Sequence, residues 1–252
     1  MTARKMPKIP AFDDLAILLD IDGTILDLAP TPQKVAVPPS LYETLRRLNE
    51  LTGGAVAFVT GRSLSDLDRL FTPLQLPAVA GHGAEYRFYR DGARDEARIA
   101  ALDQSLKRKF AALARGASGV LFEDKDYAVA LHYRQAPEQE HFVRDAVAGI
   151  CAAEPSIEVL PGKYVLEVKK SGFSKATGVR ELMKHPPFAG RRPIFIGDDA
   201  TDEFVFAIMP EFDGLAFSVG DAVGGVDAHF EQPKLVREWL SAIAGLDAGA
   251  TP

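Results

Sequence analysis

The chain has 252 residues, enough for one large domain or two modest ones with ample core in either case. Hydrophobic residues make up 47% and charged residues 25%, which excludes a disordered or fibrous chain. The net charge is -6 with no long basic stretch, which excludes an electrostatic footprint for nucleic acid; an anionic ligand would have to be met by locally concentrated cations. The one cysteine, Cys151, cannot form an intrachain disulfide, and in its helix-like stretch it reads as a small buried apolar residue. Met1 to Pro10 carry Arg4, Lys5 and Lys8 with no apolar run behind them, and no stretch approaches the roughly 20 apolar residues of a membrane span. A cytoplasmic location without membrane association is expected.

The first strong element is Leu15 to Leu19, a continuous apolar run ending at Asp20. Such a run, apolar on both faces, is the pattern of a buried parallel strand. Pro38 and Pro39 lead into a helical pattern with Leu41, Leu45 and Leu48 on one face, closed by Gly53-Gly54. A second buried strand, Ala55 to Val59, ends at Thr60. Ser63 to Asp66 resembles a capping box, with a helix carrying Leu64, Leu67 and Leu70 behind it. Ala78 to Ala80 reads as a third short strand. The character then changes. Tyr86 to Tyr89 and Asp91-Gly92 suggest a hairpin; helices are predicted over about 96 to 114 and 137 to 153, with hairpins from Val120 to Tyr133 and from Ile157 to Val168. These strands alternate, which implies one covered and one open face. The segment reads as a smaller α/β domain, residues 86–170, inserted into a larger one formed by 1–85 and 171–252. After Gly172 the first pattern returns: a helix near Lys175 to Met183, a buried strand Pro193 to Ile196 ending at Gly197-Asp198-Asp199, a strand Leu215 to Val219, and a helix holding Leu235, Val236, Trp239 and Leu240. Alternating strands and helices imply an α/β, doubly wound parallel sheet, which binds ligands at the carboxyl ends of its strands. Asp20, Thr60 and Asp198 fall there.

Two carboxylates as close as Asp20 and Asp22 repel unless a cation or a shared proton intervenes, and Mg²⁺ prefers carboxylate oxygen. Gly23 permits the turn that follows. An aspartate attacking phosphorus would split hydrolysis into two easier steps, with Asp22 giving a proton to the leaving alkoxide and later activating water. An isolated Asp-x-Asp also fits a loop that merely caps the next element. Thr60 adds a hydroxyl for phosphate, Gly61 a backbone amide, Lys175 a positive charge and Gly197-Asp198-Asp199 further oxygen ligands. Four such loops at one sheet edge favour phosphoryl transfer.

In order along the chain, Asp20-Ile21-Asp22-Gly23-Thr24, Thr60-Gly61-Arg62, Lys175 and Gly197-Asp198-Asp199-Ala200-Thr201-Asp202-Glu203 resemble the four motifs of the haloacid dehalogenase (HAD) superfamily of phosphatases. The insertion resembles that superfamily's larger α/β cap. Gly81-His82-Gly83-Ala84-Glu85, Leu131-His132-Tyr133-Arg134, Leu166-Glu167-Val168-Lys169 and the extended Gly-Asp-Asp string narrow the resemblance to the trehalose-6-phosphate phosphatases. It covers nearly the whole chain. Lys170 departs from the proline that often follows the Leu-Glu-Val-basic string. The resemblance implies a sugar-phosphate substrate, Asp20 as nucleophile, Asp22 as acid/base with its carbonyl also on Mg²⁺, and Asp198 completing the metal site. Asp199 and Asp202 either join that site, act through water, or orient Lys175. Arg62 is either a solvated helix-start arginine or a phosphate or sugar contact; His82 either touches substrate or makes a loop hydrogen bond. Functional coupling to a trehalose-phosphate synthase is a further implication.

In the insertion, Tyr127, Val129, Leu131 and Tyr133 form one strand face, and Ala128, Ala130, His132 and Arg134 the other. On the last strand Tyr164, Leu166 and Val168 oppose Lys163, Glu167 and Lys169. The free face thus gathers Glu123, Arg134, Lys163 and Glu167, with Lys125 in the adjoining turn. It reads as a sugar-recognising face, the bland alternative being a solvated one. Rival assignments are a phosphatase of sucrose 6-phosphate or mannosyl phosphoglycerate, a receiver-type phosphoacceptor, and an inactive sugar-phosphate-binding regulator. The receiver fits poorly, because Asp198 lies far downstream of Asp20.

Overall fold

The computed structural model describes residues 6–29, 35–89, 101–125, 127–162, 164–221 and 223–246. The chain divides into two compact units, Met1–Ala97 with Ser174–Pro252, and Arg98–Phe173.

The first unit is built on a seven-stranded sheet. Its strands are β1 (Leu15–Leu19), β2 (Val56–Val59), β3 (Ala78–Ala80), β4 (Glu85–Arg87), β9 (Arg192–Gly197), β10 (Leu215–Val219) and β11 (Ala228–Phe230), with β5 to β8 belonging to the second unit. The order is β11-β10-β9-β1-β2-β3-β4. All neighbours are parallel except β3 and β4. β1 is central and fully buried, as its unbroken apolar run requires. Leu15, Ile17 and Leu19 pack on one face with residues of α1 (Pro39–Leu51), α2 (Leu64–Phe71) and α7 (Pro233–Ile243). Ala16 and Leu18 pack on the other with residues of α5 (Lys175–Leu182) and α6 (Ala200–Phe206). Leu41, Leu45 and Leu48 form the buried stripe of α1.

Two elements of this sheet differ from the sequence reading. Residues 85–87 pair antiparallel with β3, Val79 opposite Tyr86, so this stretch extends the large sheet instead of opening the inserted domain at residue 86. Its alternating pattern suits an edge strand in either sheet. β11 was not predicted: three residues with His229 exposed in the middle carry little periodicity. The turn expected at Asp91-Gly92 and the first residues of the helix expected from 96 lie outside the described residues.

The second unit holds α3 (Gln104–Gly116), β5 (Leu121–Asp124), β6 (Ala128–His132), α4 (Glu140–Ala152), β7 (Ile157–Gly162) and β8 (Val165–Lys170). Its antiparallel sheet has the order β5-β6-β8-β7. Val129, Leu131, Leu166 and Val168 pack with Leu106, Phe110, Val143 and Val147 of the two helices, the face that alternation selects. Ala128 and Ala130 on the opposite face are also buried, as are Glu167 and Lys169, all four of which the sequence reading left open. Ala130 lies between Glu123 and Glu167 across the ladder, where an alanine is overtopped by its longer neighbours. Lys169 turns its ammonium over the Phe173 ring, 4.0 Å from the centroid, and onto the Phe173 carbonyl. Among the described residues no helix is long and apolar enough to cross a membrane.

Candidate active site

β9, β1 and β2 are neighbours, with Leu19 opposite both Ile196 and Phe58. The residues leaving their carboxyl ends are therefore brought side by side. Asp20 follows β1 and donates its N–H to Ile196 O at 2.9 Å. Gly23 has φ +82, and a Cβ there would stand 2.0 Å from Asp198 Oδ2, so the turn after Asp20 needs glycine for both backbone and space. Thr24 Oγ1 donates to Asp198 Oδ1 at 2.9 Å, and a longer contact of 3.4 Å reaches Asp20 Oδ2. The sequence reading gave Thr24 no role of its own; its buried hydroxyl ties the Asp20 and Asp198 loops together.

Lys175, the first residue of α5, is buried and donates to Asp20 Oδ1 at 2.9 Å and to Asp202 Oδ1 at 2.8 Å. A capping box between Ser174 and Thr177 fixes that end of the helix. Burial alone would lower the lysine's pKa, but the Asp20 and Asp202 carboxylates overcome it and hold the ammonium charged. Asp202 is committed on both oxygens, because Oδ2 accepts the N–H groups of Asp198 and Asp199 at 3.1 and 3.0 Å. A Cβ on Gly197 would lie 2.5 Å from the Asp202 carboxyl carbon, so glycine there makes room for this buried side chain. Of the alternatives for Asp202, this geometry favours orienting Lys175. Asp199 is exposed just before α6 and outside the carboxylate cluster.

One oxygen each of Asp20, Asp198 and Asp202 lie within 4.8 Å of one another. Burial pushes Asp198 up to about 6, and it raises Asp20 and Asp202 as well, with Lys175 acting against the rise. Three crowded carboxylates against one ammonium leave excess negative charge. A hard divalent cation answers that charge, and with Asp202 already engaged, Asp20 and Asp198 are the pair open to it.

Arg62 makes a bidentate pair with Asp22, Nε to Oδ2 at 2.5 Å and Nη2 to Oδ1 at 2.6 Å. Its side chain is only 11% exposed, so it is not a solvated helix-start arginine. Thr60 is buried; its Oγ1 accepts the Arg62 N–H at 3.2 Å, which leaves the hydroxyl proton to donate. His82 adopts left-handed backbone at φ 54 and donates its N–H to Thr60 O at 2.9 Å.

In the second unit, Lys125 Nζ donates to Glu167 Oε2 at 2.5 Å, and His132 Nε2 lies 2.8 Å from Glu123 Oε2. β6 ends at His132, so Arg134 sits in the following turn, exposed, with its guanidinium 6.0 Å above the Tyr164 ring. Strand alternation therefore does not reach Arg134. Lys163 lies outside the described residues.

The trehalose-phosphatase family model matches residues 18–230, which spans every motif residue above. The chain belongs to the trehalose-phosphatase family. Family members are phosphoric monoester hydrolases. A probable trehalose-phosphate phosphatase of Sinorhizobium fredii is 42% identical over 238 residues, covering 93% of this chain and 89% of the relative. The trehalose-6-phosphate phosphatase of Escherichia coli is 32% identical over 228 residues, covering 90% and 86%. The fold is shared with the C-terminal domain of Candida albicans trehalose-6-phosphate phosphatase, with a TM-score of 0.80 at 21% identity over 98% of this chain and 100% of that one. It is shared too with a HAD-superfamily phosphatase of Bacteroides thetaiotaomicron, at a TM-score of 0.61 and 20% identity over 94% and 98%.

Proposed function

We propose that the chain hydrolyses trehalose 6-phosphate to trehalose and phosphate through an aspartyl-phosphate on Asp20, with Mg²⁺ as cofactor. The observation that carries this reading is the buried Lys175, which donates to one oxygen of Asp20 beside the Asp198 and Asp202 carboxylates, in a member of the trehalose-phosphatase family. The S. fredii and E. coli relatives supply the substrate.

Asp20 attacks phosphorus, the bond from phosphorus to the sugar oxygen breaks, and Asp22 gives its proton to the departing alkoxide. Water then attacks the aspartyl-phosphate, Asp22 takes a proton from it, and the bond from phosphorus to Asp20 breaks. Lys175 offsets charge on the transferring group, and the Thr60 hydroxyl and Gly61 amide hold its oxygens. Arg62 pairs with both Asp22 oxygens and must release one of them for Asp22 to carry the proton, while the other keeps the carboxyl in place. Asp20, Asp198 and the Asp22 carbonyl would hold the cation, Asp202 serving through Lys175 and Asp199 at most through water. When bound, Mg²⁺ neutralises charge on the phosphate oxygens. Sugar recognition falls to the inserted domain, with Glu123, Lys125, Arg134, Lys163 and Glu167 as its polar set. A bifunctional synthase/phosphatase of Thermoproteus tenax, 31% identical over 77% of this chain and 27% of that protein, supports functional coupling to a synthase.

The test is phosphate release, with and without Mg²⁺, from trehalose 6-phosphate, sucrose 6-phosphate, mannosyl phosphoglycerate and an aryl phosphate. Preferred turnover of trehalose 6-phosphate, abolished by chelator and restored by Mg²⁺, is expected. Preference for another sugar phosphate would overturn the substrate, and full activity in excess chelator the cofactor.

A further inference from the structure

The Gly81–Glu85 string marks the family, yet the steps above give it no task. We infer that His82 is a positioning residue: its imidazole packs on Gly61 and thereby sets the Thr60-Gly61-Arg62 loop, without touching substrate. The inference rests on reading that loop as the phosphate-binding one.

The backbone comes first. His82 sits at φ 54 and ψ 30, a conformation that strains any residue with a Cβ. It allows the His82 N–H to reach Thr60 O at 2.9 Å, while the Gly81 N–H reaches Arg62 O at 2.8 Å and the Thr60 N–H reaches Val79 O at 2.9 Å. Residues 60–62 are thus stitched to residues 79–82 by three main-chain bonds. The same string braces both flanks of the site. Glu85 Oε2 accepts the Leu64 N–H at 2.7 Å where α2 begins. On the other side a Cβ on Gly83 would meet Ser174 O at 2.3 Å, one residue before Lys175.

The side chain supplies the decisive contact. A Cβ built on Gly61 would stand 2.4 Å from His82 Nε2, 2.6 Å from Cε1 and 3.1 Å from Cδ2. Gly61 does not have the positive φ that would call for glycine. Glycine is needed at 61 for space, and the space is filled by one imidazole. That ring forms a shelf under the loop whose Thr60 hydroxyl and Gly61 amide face the phosphate. A strained backbone at His82 persists because the surrounding bonds over-determine it.

A double-mutant cycle tests this. Gly61→Ala puts a methyl into the ring, and we expect kcat/KM to fall about 100-fold for trehalose 6-phosphate and for an aryl phosphate alike, the scale of a misplaced reacting group. His82→Ala removes the shelf and should cost both substrates about tenfold. The double variant should be at least about tenfold more active than Gly61→Ala alone, because the collision is gone. His82→Asn, whose side chain tolerates left-handed backbone, should melt above His82→Ala while recovering little of its lost activity, which separates backbone strain from loss of the ring. A double variant no better than Gly61→Ala would overturn the inference. So would a His82→Ala defect confined to trehalose 6-phosphate, which is the mark of a sugar contact. Melting temperatures read the same coupling without substrate. An inactive parent protein would therefore overturn the phosphatase reading, and rescue in the melts would still decide the packing.

Discussion

The two oxygens of Asp20 are not equivalent. Oδ1 takes a charge-assisted hydrogen bond from Lys175 at 2.9 Å, whereas Oδ2 receives the longer 3.4 Å contact of Thr24, whose proton is better directed at Asp198; the carboxyl also shares a side-chain hydrogen bond with Asp198. In the proposed mechanism Oδ2, the oxygen not held by Lys175, is the one that attacks. Asp20→Asn keeps the shape and removes the proposed nucleophile. We expect a folded protein with turnover reduced at least about 10⁴-fold, checked by steady-state phosphate release beside a thermal melt. That Asp20, Asp198 and Lys175 come together was legible because each ends or begins an element whose pattern is strong: Asp20 after Leu15–Leu19, Asp198 after the buried strand before it, Lys175 at a helix start. Arg62 was left open between solvent and substrate. Its bidentate hold on Asp22 joins residues forty positions apart, and no local pattern in a sequence encodes such a pairing.

At the scale of the element, the turn from β9 into α6 does two jobs. It delivers Asp198 to the site, and through Asp202 it fixes Lys175. Asp202 is wholly buried between an ammonium and two backbone N–H groups. Asp202→Ala takes the acceptor from two backbone N–H groups and leaves Lys175 with Asp20 alone, and should cost about 1–3 kcal/mol, read as a lower midpoint in urea at unchanged slope. Asn in its place should recover part of this, since its carbonyl oxygen still accepts. The same turn predicts how metal and protons compete. Burial holds Asp198 near 6 in the metal-free protein, so the folded state binds a proton there that the unfolded chain releases at lower pH. Falling pH through 6 thus favours the metal-free fold at this group, and the bound proton opposes a cation. Mg²⁺ should raise the melting temperature more at pH 7.5 than at pH 5.5, a difference that Asp198→Asn should remove. Helices and buried strands were readable because tertiary packing and local pattern agree in them. β4 was not assigned correctly because alternation describes a strand's two faces without naming the sheet it joins.

In the proposed function a mainly parallel sheet carries phosphate chemistry at its strand ends, and the antiparallel sheet of the second unit reads the sugar. The two sheets were visible in the sequence as a change from continuous to alternating apolar strands. Less of the second sheet's face was legible: Ala128, Ala130, Glu167 and Lys169 were read as open and are buried, because alternation reports side-chain direction and not what neighbouring long side chains cover. Two substitutions test the division. Lys175 pairs with Asp20 in the first unit; Glu167 pairs with Lys125 in the second. In the proposed mechanism every phosphoester passes a transition state that Lys175 stabilises, so Lys175→Ala should damage trehalose 6-phosphate and an aryl phosphate together. The aryl ester has no hydroxyl groups to read and a leaving group that needs little help from Asp22. Glu167→Ala should therefore spare it while reducing kcat/KM for trehalose 6-phosphate by roughly 10²–10³, the cost of a lost charge-assisted hydrogen bond of about 2–4 kcal/mol. Misfolding cannot imitate this result, because it would lower both activities together. Equal losses on the two substrates in folded Glu167→Ala would place Glu167 in the service of phosphoryl transfer, and no loss on either would leave it as the buried partner of Lys125 alone.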